Sequence, residues 1–457
     1  MTSKKNISKI YFLFLFFHLV IWTLVPFISN VNLPLDTIEA LAWGSNLDWG
    51  FNKHPPFSAF AAEVFYSFFG NNDLAYYLLS QIFVITAFIF VWKFSNEIFE
   101  NKIFSLLSVL ILESIFFYNF TTPEFNVNIS QLPFFAIIVY FLWKGISKNN
   151  TSDWILFGIF SAIGFLSKYL FIYFLISIFL FLMFVYFNNK KIIINYIFSI
   201  FVSLIILTPH FIWLFENDFV TIFYGLNRSG LDETNLLNHI LNPLIFILKQ
   251  TLILIPFFIM IKVLLKKFKF KVNLKLKKIS FLISITVIPL FLILLTSIIT
   301  GANIRTMWMT PFYLFFGTLL FKIYINKINL KNIKKFYYIF IFIFILSPTT
   351  YLGISIFDET KRTDYPGKEI SQLVQNKWDE NFINEIKIVV GDEWSAGNLS
   401  YHLSSRPRWI NEFTSDLKEL NDDQGVIYTG NPKVLKKICP GVFGSIKPVG
   451  YCMIGKR

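Results

Sequence analysis

The stretch LDTIEALAWGSNLDWGFNKHPPFSAF, residues 35–60, gathers Asp36, Glu39, Asp48, Lys53 and His54 ahead of a Pro55-Pro56 pair. An acid so placed could take the proton of an attacking hydroxyl. The diproline favours extended backbone before it and stiffens the turn, which would hold such an acid in place. Polar residues recur between apolar runs further along the chain. TTPEFNVN carries Glu124, Asn126 and Asn128, and GFLSKY carries Lys168 and Tyr169. PHFIWLFENDFVTIFYGLNRSG carries His210, Glu216, Asp218, Asn227 and Arg228, and GANIRTMW carries Asn303 and Arg305. Isolated lysines and arginines of this kind suit a phosphate. Acids beside a phosphate-binding cation are the equipment for moving a sugar off a lipid phosphate onto a hydroxyl.

Each residue also has a plainer use. Asp36 could cap a helix beginning near Thr37, and His54 could be an ordinary loop residue. Lys168 could snorkel to the membrane interface. Arg228 and Arg305 could be loop arginines, and Asp48, Glu216 and Asp218 solvated acids. Glu113 falls inside an apolar run, where an acid is costly and usually paired or functional; the sequence names no partner for it. There is no glycine-rich phosphate loop, no H-E-x-x-H and no C-x-x-C, so neither a nucleotide nor a zinc site is indicated. No metal ligands are nominated, and a divalent ion stays open as an addition.

The elements that must position these residues are membrane helices. Of 457 residues, 55% are hydrophobic and 15% charged, against about 25% charged in a soluble domain. A crossing helix needs about 20 mostly apolar residues. Eleven runs approach this, at 11–29, 74–92, 103–119, 129–143, 154–167, 169–187, 192–214, 243–264, 279–300, 307–325 and 336–356. The first lacks a cleavage site after it and is expected to be retained. The net charge of +13 points to topology and not to nucleic acid, because the lysines lie in alternate loops. One set of loops holds Lys4, Lys5, Lys9, Lys93, Lys102, Lys144, Lys148, Lys190, Lys191, the run from Lys266 to Lys278 and that from Lys327 to Lys335. The other holds Lys53, Lys168, Arg228 and Arg305 as its cations. The positive-inside rule puts the first set, and the N-terminus, in the cytoplasm. The acids and isolated cations then share the outer rim.

After residue 356 the character changes. KIVVGDEW and GVIYTG read as buried strands, and GKEISQLVQNKW and PKVLKKI as helices. The expected architecture is a polytopic α-helical membrane domain over residues 1–356 and a small extracytoplasmic α/β domain over 357–457. Cys439 and Cys452 are the only cysteines; they could pair in an oxidising compartment or remain two small apolar residues.

The blocks PLDTIEALAWG…WGFNKHPPFSAF, TTPEFNVNISQLPFFA, GFLSKYLFIYF, PHFIWLFENDFVTIFYGLNRSG and VVGDEWSAGNLSYHL resemble, in order, those of bacterial family-39-like glycosyltransferases of the GT-C class. These are related to protein O-mannosyltransferases and to the lipid A aminoarabinose transferase. The resemblance implies a GT-C-like, inverting inner-membrane enzyme that uses a polyprenyl-phosphate-linked sugar. The acceptor would be a glycolipid, a polymer or a protein of the envelope, and no nucleic acid is implied. An acid of the first outer loop acts as base. Relatives read D-E-A-x-x-W there; this chain has Asp36, then Glu39-Ala40 and Trp43, so Asp36 is the expected base and Glu39 its positioning partner. His54 stands where relatives carry Lys or His before Pro-Pro. With Lys53, Lys168, Tyr169, Arg228 and Arg305 it is a candidate for the donor phosphate or substrate, and Glu124 and Asn128 are the second-loop candidates. Residues 215–242 are expected to close over the donor as a lid. A transporter or flippase of lipid-linked sugars is the alternative, although transporters usually place polar residues near the bilayer midplane. A non-catalytic scaffold or sensor is a further one.

Overall fold

The computed structural model describes residues 4–230, 235–266, 272–411 and 422–457. Part of the lysine run, 267–271, and part of the expected lid, 231–234, lie outside the described residues. In chain order the helices are α1 (Lys4–Ser29), α2 (Leu35–Gly44), α3 (Phe57–Phe69), α4 (Asp73–Ile98), α5 (Lys102–Leu110), α6 (Val127–Ser130), α7 (Leu132–Lys148), α8 (Thr151–Ser167), α9 (Ile172–Tyr186) and α10 (Lys190–Glu216). They continue with α11 (Val220–Arg228), α12 (Asn238–Ile253), α13 (Ile255–Leu264), α14 (Lys277–Thr300), α15 (Phe316–Ile323), α16 (Ile333–Phe357), α17 (Gly367–Asp379), α18 (Ser395–His402) and α19 (Pro432–Ile438).

Among the described residues, seven helical segments are long and apolar enough to cross a membrane, so the protein is a multi-pass membrane protein. The other four predicted runs take different forms. Run 154–167 is the 17-residue α8, slightly short of that length. Run 243–264 is α12 and α13, bent by 50°, with Pro256 at the start of the second helix unable to donate to the first. Run 307–325 opens as a 3-10 segment, Thr306–Tyr313, around Pro311. Run 103–119 leaves the α-helix at Leu110 and continues as two 3-10 turns. Glu113 sits in the first turn; its carboxylate meets His18 Nδ1 at 2.5 Å and accepts from Asn119 Nδ2 at 3.0 Å. The partner missing from the sequence is therefore a histidine of α1, and the pair is enclosed in the bundle.

Among the described residues, the C-terminal part holds five strands: β1 (Ile388–Val390), β2 (Arg408–Ile410), β3 (Val426–Gly430), β4 (Val442–Ile446) and β5 (Val449–Ile454). Their order is β2-β1-β3-β5-β4, parallel across β2-β1-β3 and antiparallel across β3-β5-β4. The two predicted strands are β1 and β3, and the two predicted helices are α17 and α19. All three residues of β1 are buried, as in a strand covered on both faces. Cys439 and Cys452 form a disulfide with Cα atoms 5.5 Å apart, tying the end of α19 to β5.

The sheet does not stand apart from residues 35–60. Trp378, Val389, Trp409 and Ile427 share one apolar cluster with Ala42, Trp43, Phe51 and Ala59. α18 lies against α2 at Gly397, where a Cβ would meet Ile38 at 3.1 Å and Ala42 at 3.2 Å. Arg406 adds an ion pair to Glu63 at 2.6 Å. The helix that carries Asp36 and Glu39 is thus clamped from above by the C-terminal part.

Candidate active site

α2 begins at Leu35 behind Pro34, so Asp36 falls in its first turn and does not cap it. A carboxylate there is favoured by the unpaired N–H groups of the helix start. Glu124 Oε1 accepts from the Asp36 backbone N–H at 3.1 Å, and Thr37 Oγ1 donates to the Phe125 carbonyl at 3.2 Å. These bonds fasten the loop before α6 to the start of α2. Asn126 caps α6 by accepting from the N–H groups of Asn128 and Ile129 at 2.9 and 3.1 Å, and its side chain also bonds Asp36. Lys168 occupies the extended break after α8. Its Nζ donates to Asn128 Oδ1 at 2.5 Å and lies 5.3 Å from the Trp308 ring centre. With 8% of its surface exposed, Lys168 is buried among these loops and lines the candidate cavity.

The diproline loop is held from the other side. The Phe51 N–H donates to the His54 carbonyl at 3.1 Å, and Thr221 Oγ1 donates to the Phe51 carbonyl at 2.6 Å. His210 Nδ1 is 2.6 Å from the Trp49 carbonyl, which can only accept, so Nδ1 carries the proton. Its Nε2 then accepts from the Tyr169 hydroxyl at 2.8 Å. The turn from α10 to α11 places Asp218 and Phe219 at φ of 50° and 54°. That conformation costs a bulky residue energy, and it lays α11, with Thr221, Tyr224 and Arg228, beside the loop.

These elements surround one cavity of about 720 Å³. Asp36 and Glu39 line it, with the cations Lys53, Lys168, Arg228 and Arg305 and with His54, Asn128 and Tyr169. Of the residues nominated for the base, phosphate or substrate, Glu124 is the one outside the lining; it lies behind Asp36, accepting from its backbone N–H. Asp48 lines a separate cavity, and Glu216 and Asp218 are exposed on the α10–α11 turn. Sequence reasoning missed Arg362, Asp392, Glu393 and Trp394, which the C-terminal part brings to the same cavity. The block VVGDEW was the available signal, but nothing local to it says what it faces. Among the described residues, no group of three or more His, Cys, Asp or Glu side chains is placed to hold a metal ion.

Burial dominates the electrostatics. It raises Asp36, against the pull of Lys168, Lys53 and Arg362. It raises Glu39 to about 7, against Lys53. Glu124 is raised by burial and by Asp36 beside it, as expected when two carboxylates share a site. Burial lowers Lys168 to about 7, opposed by Asp36. His54 is lowered to about 3 by burial and then by Lys168, Lys53 and Arg228, so it is a neutral imidazole. It could offer a phosphate a hydrogen bond but no charge. Lys53 is also occupied: its Nζ sits 2.8 Å from Glu39 Oε1 and 3.2 Å from Glu393 Oε1. Burial lowers it, yet these two carboxylates outweigh burial and keep it charged.

Residues 53–213 match the sequence profile of the family described as dolichyl-phosphate-mannose-protein mannosyltransferase. The chain is 30% identical over 164 residues to the undecaprenyl phosphate-alpha-4-amino-4-deoxy-L-arabinose arabinosyl transferase of Wigglesworthia glossinidia brevipalpis. That match covers 34% of this chain and only 28% of the relative. The crystal structure of ArnT from Cupriavidus metallidurans bound to undecaprenyl phosphate shares the fold, with a TM-score of 0.64 and 10% identity over 97% of this chain and 98% of that one. Its apo state gives 0.63 at 10% identity over the same shares. The sequence matches thus cover about a third of the chain, whereas the ArnT fold is shared over nearly its whole length.

Proposed function

We propose that the protein is an inverting glycosyltransferase that moves a sugar from a polyprenyl-phosphate carrier to a hydroxyl of an envelope glycolipid, polymer or protein. The observation that carries this reading is the cavity in which Asp36 and Glu39 stand with Lys168, Arg228 and Arg305, within a fold that in a similar structure binds undecaprenyl phosphate. Asp36 takes the proton of the acceptor hydroxyl. The freed oxygen attacks the anomeric carbon from the side opposite the phosphate, and the carbon–phosphate-oxygen bond breaks with inversion. Lys168, Arg228 and Arg305 hold the departing phosphate, and His54 and Tyr169 add hydrogen bonds. Asp36 is favoured over Glu39 as base because Glu39 is engaged by Lys53 at 2.8 Å. Glu124 and Asn126 bond Asp36 and hold it in place. Glu39, through Lys53, orients the wall around it.

The same reading places the cavity on the outer side of the inner membrane, with the lysine-rich loops and the N-terminus in the cytoplasm. It divides the chain into a membrane domain over 1–356 and an extracytoplasmic domain over 357–457. α11, within the expected lid 215–242, then forms part of the cover that excludes water during transfer.

Mass spectrometry of envelope glycolipids and glycoproteins, with and without the gene, tests the assignment. Deletion should remove one sugar from an envelope component, and an Asp36→Asn copy should fail to restore it. An envelope unchanged by deletion refutes it.

A further inference from the structure

Lys53 is shared between two regions that lie far apart in the chain. Its ammonium is 2.8 Å from Glu39 of α2 and 3.2 Å from Glu393 of the C-terminal part. Glu393 precedes α18, and α18 is the helix that packs on α2 at Gly397. Its neighbour Asp392 is committed locally, with Oδ1 accepting from the N–H groups of Trp394 and Ser395 at 2.9 and 2.7 Å. Glu393 is half-buried at the cavity wall, with its carboxylate on Lys53. A lysine bridging two carboxylates is restrained in position, and its charge is largely spent within the wall.

We propose that Glu393 is a positioning residue for transfer: with Glu39 it pins the Lys53 ammonium to the cavity wall, away from the phosphate held by Lys168, Arg228 and Arg305. The C-terminal part thereby sets how strongly the cavity grips the carrier phosphate. Too firm a grip would keep the spent carrier bound. This inference rests on the lipid-phosphate reading above.

The test is a double-mutant cycle on the full-length protein in lipid nanodiscs, with undecaprenyl phosphate as the probe. Glu393→Gln, close to isosteric, leaves Lys53 with one carboxylate and should tighten Kd by about threefold or more. In a Lys53→Met background the same substitution should change Kd less than about twofold. Glu393→Asp, which keeps the charge on a shorter stem, should fall between wild type and Glu393→Gln. Asp392→Asn removes a neighbouring charge that does not act through Lys53, so its effect should be the same in both backgrounds. An equal effect of Glu393→Gln in both backgrounds, or no effect in either, overturns the inference while leaving the transferase reading intact. A wild-type protein that does not bind undecaprenyl phosphate removes the lipid-phosphate reading, and the inference with it.

Discussion

Lys168 is the candidate site residue whose removal should separate function from stability most sharply. It is 8% exposed, and burial lowers it from 10.5 to about 7. The unfolded chain therefore holds this proton from about pH 7 to 10.5 while the folded protein releases it, and in that window the contribution of Lys168 to stability rises with pH. Below about 7 the folded protein carries a buried charge that costs a few kcal/mol, at about 1.4 kcal/mol for each pH unit between the two values. Lys168→Met should thus leave the empty protein as stable as wild type or more so at pH 6. The same charge is what a carrier phosphate would use. A hydrogen bond to a charged group contributes about 1.5–3 kcal/mol, so Lys168→Met should weaken undecaprenyl phosphate by about 10- to 150-fold at pH 6. Wild-type affinity should fall as pH rises through neutrality and the lysine discharges, with the midpoint above about 7 because bound phosphate favours the charged form. Glu39 ionises near the same pH, and its new charge also opposes phosphate; adding Glu39→Gln should reduce the pH dependence that survives in Lys168→Met, leaving that of the phosphate's own second ionisation and of Asp36 and Glu124. Binding titrations in nanodiscs from pH 5.5 to 9, paired with thermal unfolding, measure both sides. A Lys168→Met protein with wild-type affinity and an unaltered pH profile would refute the reasoning.

The other expectations concern the acids and the C-terminal part. Asp36→Asn should lower turnover by about 10²-fold or more, the share a general base contributes, while undecaprenyl phosphate still binds; near-normal turnover beside an inactive Glu39→Gln would pass the base role to Glu39. Glu39, raised to about 7, should give an activity limb that rises through neutrality as the carboxylate ionises, and loss of that limb in Glu39→Gln with turnover retained at pH 8 would identify its source. Reducing the Cys439–Cys452 bond, which closes a short loop, should cost about 3 kcal/mol of stability, read from denaturant unfolding with and without reductant. Thiol labelling of cells with an intact inner membrane should succeed only after reduction; labelling without reductant, and only once that membrane is breached, would overturn both the bond and the outward placement.

The membrane class and seven of the eleven apolar runs were legible because they depend on local composition. A run such as 192–214 partitions into lipid by its own apolar surface, whatever it packs against. The C-terminal strands β1 and β3 were visible as short β-branched and aromatic runs, whereas β2 and β4, partly exposed, and β5, buried over residues 450–453, acquire their meaning only from the neighbours they pair with. Glu113 could be marked as anomalous, but its partner His18 lies on another helix, and the break of that run into 3-10 turns follows from tertiary contacts. Lys53, Lys168 and His54 show the same limit at the site. As letters they are three basic residues near an outer rim. Folding makes Lys53 a bridge between Glu39 and Glu393, leaves Lys168 buried on Asn128 and strips His54 of its charge. The charge state of a side chain is set by desolvation and by the charges a few ångströms away, and those neighbours come from distant parts of the chain. The residue types available for chemistry were thus written in the sequence, while the work each can do was decided by which distant residue the fold set beside it.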